Sequence, residues 1–198
     1  MRTATIPGKK IEVPPRERIL DAACDLFYSR GIRNVSVDEI AAAALTNKMT
    51  LYRHFESKDL LVAEYLKKLA GMAEGWNQDI ERAHPGDAKG QLDAWIALVS
   101  ENLGKVSDRG CPMANAAVEI PEKDHPARIV IEQYKTRQRE RLVRLCRESG
   151  YAEPERLADE LFLLFEGACI NKQSGGCCGP GVRFAHMASA LMRSHARN

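Results

Sequence analysis

The chain lacks a run of apolar residues approaching the roughly 20 needed to cross a bilayer, and its first residues lack the apolar core of a secretory signal. These absences predict a cytoplasmic protein without a membrane partner. No glycine-rich loop of the phosphate-cradling type is present, no Cys-x-x-Cys or histidine spacing of a zinc site, and no convincing nucleophile arrangement. The nearest cluster of reactive groups, Glu122, Asp124 and His125, lies in a proline-bracketed loop, where closeness in sequence is poor evidence of chemistry. The expectation is a protein that is not an enzyme and holds no metal or cofactor. No strand-like alternation and no repeat of 20 to 50 residues is visible. An excess of one charge is missing too. The 29 basic and 27 acidic residues leave a net +2, so the chain is no polycation. What bias exists is local: residues 1–58 carry +3 and the remainder −1.

What is present is helical punctuation. Pro14-Pro15 opens a helix whose buried stripe is Ile19, Ala22, Ala23, Leu26 and Phe27, and Gly31 is placed to end it. Ser36 with Glu39 three residues on forms a capping box, after which Val37, Ile40 and Ala41 share a face. Asn47 caps a second short helix that keeps Leu51 and Phe55 for the core and turns Lys48, Met49, Thr50, Tyr52, Arg53 and His54 to its front and ends. Two short helices joined by a tight turn, the second with a buried stripe and a polar front, are the build of a helix-turn-helix that enters a DNA major groove. Ser57 starts a long helix running to about Trp76 or Ile80, and His84-Pro85-Gly86 ends that segment.

The span from Arg16 to Leu61 resembles the DNA-binding domain of the TetR (tetracycline-repressor-like) family of transcriptional regulators. The residues that carry the resemblance are Arg18 to Ala23, Leu26-Phe27, Gly31, Ile40-Ala41 and above all Thr50-Leu51-Tyr52-Arg53-His54-Phe55 with Ser57-Lys58. The resemblance implies that Thr50, Tyr52 and Lys58 bind backbone phosphates while Lys48 and Met49 face bases. Two positions depart from the family pattern. Leu45 stands in the turn where the family has glycine, and Met49 where it has a small residue; Met49 can touch a thymine methyl.

The fold class expected is all-α: a three-helix helix-turn-helix domain over residues 14–58, preceded by a flexible basic arm over 1–13 (Arg2, Lys9, Lys10), and a helical regulatory and dimerisation domain over 59–198. In that second part, helices are expected over Met113–Glu119, about Arg128–Glu148 with Ile129, Tyr134, Leu142 and Leu145 as apolar positions, Glu155–Lys172, and about Val182–Ser194. The last two, with small residues Ala185, Ala188 and Ala190, are expected to pair with their copies in a homodimer, which the resemblance also implies. A ligand pocket lined by Trp95, Met113, Asn115, Tyr134, Phe162, Phe165 and Glu166 would suit a small, partly apolar effector. The function expected is a sequence-specific regulator that represses from a palindromic operator in double-stranded DNA and leaves it when the effector binds. The alternative is a thiol sensor of the same fold acting through Cys177 and Cys178 in a glycine-rich loop.

Overall fold

The computed structural model describes residues 13–105, 109–175 and 179–197. Residues 1–12 of the basic arm, with Arg2, Lys9 and Lys10, and the Cys177-Cys178 pair lie outside the described residues. Those described form nine helices and no strand: α1 (Pro15–Arg30), α2 (Val37–Ala43), α3 (Lys48–His54), α4 (Lys58–Ala83), α5 (Ala88–Gly104), α6 (Pro112–Glu119), α7 (Pro126–Glu148), α8 (Pro154–Gln173) and α9 (Pro180–Ser194). The chain divides into two compact units inside α4, the first ending at Tyr65 and the second starting at Leu66.

In the first unit, α1, α2 and α3 pack on one another, and Ile19, Phe27, Ile40, Leu51 and, from the start of α4, Leu61 are buried. Tyr65 belongs here because its ring lies 5.6 Å from that of Phe27. Ser57 caps α4 as its position predicts, accepting the Leu60 amide at 3.1 Å. The helix runs past the expected stop to Ala83, and the His84-Pro85-Gly86 turn, with Gly86 at φ 72°, ends it.

In the second unit, α8 packs on α7 and α9, and α5 on α7 and α9. Prolines open α6, α7, α8 and α9, one to two residues ahead of the expected starts, because the missing amide is one that a first turn leaves unbonded anyway. Ile129 does not join the α7 core. It is exposed, and Ala127, Val130, Ile131 and Cys146 are buried along with the expected Leu142 and Leu145, since three successive residues of a helix cannot share one face. Ala188 is likewise spent inside the unit, fully buried, while Ala185 is half-buried and Ala190 exposed.

Two helix faces of this unit stay apolar and uncovered. On α8, Leu163 is 69% exposed and Ile170 lies exposed seven residues on, with Gly167 between them. On α9, Val182 is 75% exposed and Met187 is exposed as well. No helix among the described residues is long and apolar enough to cross a membrane.

Candidate nucleic-acid interface

The helix-turn-helix is held by local hydrogen bonds that the sequence encodes within three or four residues. At the start of α2, the Glu39 amide donates to Ser36 Oγ at 3.2 Å and the Ser36 amide donates back to Glu39 Oε2 at 2.8 Å. Arg30 reaches Glu39 Oε1 at 2.7 Å. These bonds, the Ser36 amide first, hold the Glu39 carboxyl well below the ordinary carboxylate range, at about 2. A carboxylate depressed by folding contributes stability that is full above its unfolded value, near 4.5, and lost as pH falls towards 2. Ser36→Ala therefore costs the domain about 1 kcal/mol, as N-cap removal usually does. It also moves the Glu39 titration back up, which a carbon-detected NMR titration reads directly.

The turn after α2 closes as a Schellman motif. The Thr46 amide donates to Ala41 O at 2.9 Å and the Leu45 amide to Ala42 O at 3.1 Å. The residue between helix end and exit must then adopt a left-handed conformation, and Leu45 does so at φ 53°. Glycine fills this position without cost; a Cβ there costs about 1 kcal/mol. Arg18, from α1, steadies the turn by donating Nε–H to Ala44 O at 3.2 Å.

Asn47 then caps α3, its side chain accepting the Thr50 amide at 2.9 Å. Leu51 is wholly buried, and Phe55, just past the helix, is buried beneath the Arg16 guanidinium, 5.0 Å from its ring centre. The opposite side is open. Lys48, Met49, Tyr52 and Arg53 are exposed and Thr50 is half-buried. Lys48 is also within 3.2 Å of Asp38 on α2, an exposed pair of little strength that leaves the amine free to exchange partners. His54 is half-buried with Nε2 enclosed, so its ring belongs partly to the packing. Lys58 bends inward. Its amine donates to Ile32 O at 2.7 Å and lies 5.9 Å from the Phe27 ring centre, fastening the start of α4 to the loop after α1. Spacing alone signals neither the Arg18 nor the Lys58 contact, because each joins residues 26 apart.

The residues expected to line an effector pocket fall into two groups. Trp95, Phe162 and Phe165 form one aromatic cluster. Trp95 meets Phe165 edge-on at 6.0 Å, and Phe162 lies 6.4 Å from Phe165. Glu166 follows Phe165 on α8 and pairs with Lys135, leaving its second oxygen buried without a hydrogen bond among the described residues. Burial, with the nearby Cys111, Glu166 and Cys169, raises the Tyr134 hydroxyl, so it stays a neutral donor. Met113 and Asn115, on α6, serve the local packing. Met113 is buried, and the Asn115 side-chain amide donates from Nδ2 to Arg109 O at 2.5 Å. Burial also pushes the Cys146 and Cys169 thiols up to about 12, and raises that of Cys111, which makes all three poor nucleophiles. A separate open cleft of about 400 Å³ lies where α5 begins and α7 and α9 end, and includes Lys89, Asp93, Tyr151 and Arg193. It contains none of the seven predicted pocket residues.

Comparison with known proteins places this geometry. Residues 19–65 match the family model described as bacterial regulatory proteins, tetR family. The chain is 25% identical over 166 residues to the HTH-type transcriptional repressor DhaR of Mycobacterium sp. (strain GP1), covering 79% of this chain and 81% of that one. It is 44% identical over 88 residues to the HTH-type transcriptional repressor KstR2 of Rhodococcus jostii (strain RHA1), a match covering 44% of this chain and 43% of that one. The crystal structure of SCO4454, a TetR-family transcriptional regulator from Streptomyces coelicolor, superimposes with a TM-score of 0.85 at 26% identity, covering 92% of this chain and 96% of that one. Residues 19–65 are thus a TetR-family helix-turn-helix, closed by a Schellman turn, and the all-helical chain that carries them is similar over 92% of its length to a TetR-family transcriptional regulator.

Proposed function

We propose that the protein represses transcription as a homodimer on a palindromic operator and is released by a small, partly apolar effector. The observation that carries the DNA reading is the division of α3. Leu51 and Phe55 lock one side into the core, while Lys48, Met49, Tyr52 and Arg53 stand clear on the other. A helix presented in this way places its front in a major groove. Phosphate contacts from Thr50, Tyr52, Arg53 and His54 set its register, and Lys48 and Met49 face base edges. Lys58 serves at the first turn of α4, where helix amides favour a phosphate, by exchanging its carbonyl partner for the anion.

Residues 14–58 are the reading module and 59–198 the regulatory and dimerising module. The uncovered apolar faces of α8 and α9 support pairing with a second copy. Effector binding beside Trp95, Tyr134, Phe162, Phe165 and Glu166 favours a spacing of the two α3 helices that no longer fits successive turns of DNA. The unbonded Glu166 oxygen and the Tyr134 hydroxyl supply the polar contacts, the aromatic cluster supplies the apolar wall, and Met113 and Asn115 shape α6 beside it.

The test begins with genomic fragments retained by the full-length chain. Tyr52→Ala weakens binding to every duplex by about tenfold, roughly the worth of one hydrogen bond to a charged group. Met49→Ala leaves non-specific binding intact and changes base preference. If both variants bind the selected operator as the parent does, the assignment of α3 as the reading helix is wrong.

A further inference from the structure

We propose that Leu45, in the turn between α2 and α3, is a specificity-determining residue that reads a thymine methyl group together with Met49. The proposal rests on the DNA-binding reading above and adds to it a residue outside the recognition helix.

Leu45 is one of two non-glycine residues at positive φ among the described residues, the other being Glu153. Its side chain is 85% exposed, so no packing within the chain offsets the strain of its backbone. An isobutyl group held in strain and facing solvent contributes nothing to the free protein. A residue that is costly in isolation and rigidly held is what a contact surface shows when the compensating partner is absent. The turn is rigid indeed: both Schellman hydrogen bonds are formed and the Arg18 side chain holds the Ala44 carbonyl. Leu45 is therefore presented in a fixed direction.

Its position decides what it can meet. Leu45 lies two residues before Asn47, the cap of α3, and the leading end of a recognition helix is the part that approaches base edges. Met49, four residues on, is 84% exposed. Ala42 and Ala43 beside the turn are exposed as well, and residues 40–47 carry no charge. An uncharged apolar stretch at the tip of a DNA-reading element has little to offer phosphates. Base edges in the major groove present one apolar group, the C5-methyl of thymine. The partner that fits Leu45 and Met49 is a half-site with thymines under the turn and under the first turn of α3.

The test replaces each thymine of the selected operator by deoxyuridine in turn, which removes one methyl and leaves the hydrogen-bonding edge unchanged. The full-length parent loses threefold to tenfold in affinity at two positions of each half-site. Leu45→Ala and Leu45→Gly become indifferent to one of these and keep the other; Met49→Ala shows the reverse. Leu45→Gly alone raises the melting temperature, because it removes the Cβ as well as the isobutyl group. Parent protein that binds thymine and deoxyuridine operators alike overturns this proposal and leaves the DNA reading intact. So does a penalty that persists unchanged in both Leu45 variants, or a half-site without thymine. A parent chain that retains no duplex overturns the DNA reading and this proposal with it.

Discussion

Leu51→Ala is expected to destabilise the first unit by about 3 kcal/mol and to abolish operator binding while leaving the second unit folded. The magnitude follows from burial: Leu51 is fully enclosed, and a leucine truncated in such a site costs about 2–5 kcal/mol, the lost transfer energy plus the cavity left behind. The consequence for binding follows from the length of α3. A helix of seven residues is far below the roughly 12–15 at which isolated helices become marginal in water, so α3 exists because its one buried residue and Phe55 behind it are packed. Removing that anchor frees α3 before it unfolds anything else, since local openings draw on the least packed elements. Hydrogen exchange on the full-length chain reads the effect: protection of α3 amides falls by about a hundredfold, whereas α7 and α8 amides keep theirs. Equal loss in both units, or no loss in α3, contradicts the packing account.

Leu163→Glu is expected to convert the protein from dimer to monomer and to lower operator affinity on the order of a thousandfold or more, with no loss of helix content. Leu163 is exposed within the chain, so a charge there is nearly neutral for the folded monomer. Across a two-fold axis the same substitution acts twice and places an unpaired carboxylate in an apolar interface, which costs several kcal/mol. Operator affinity falls because a single α3 buries too little to hold a site alone. Sedimentation gives the mass and circular dichroism the helix content. A variant that remains dimeric shows that the pairing face lies elsewhere than on α8.

The elements most readable from the sequence are those whose decisive bonds are local. Ser36, Asn47 and Ser57 each satisfy an amide three residues away, and all three stand where their spacing predicts. The turn at Leu45 is readable for the same reason: six residues close it, and the left-handed position falls on the one family glycine that this chain replaces. Contacts between distant residues are not readable. Arg18 on the Ala44 carbonyl and Lys58 on the Ile32 carbonyl have no periodic signature, and both alter what the side chain can do. The run Ile129-Val130-Ile131 shows a second limit. Apolarity marks Ile129 as core, but helical geometry admits only two of the three to one face, and the structure buries Val130 and Ile131. On α9, Ala188 reads as an interface residue by size, yet its own unit buries it completely.

Under the proposed function, two copies of α3 read one operator at half-sites about 34 Å apart, one helical turn of the duplex. Inserting five base pairs between the half-sites of the selected operator rotates one half-site to the opposite side of the DNA while changing no contacted base. Affinity is then expected to fall at least about a hundredfold, to that of an isolated half-site, and a further five base pairs restore part of it. Undiminished binding to the five-base-pair insertion, or a complex with a single chain per duplex, contradicts the account.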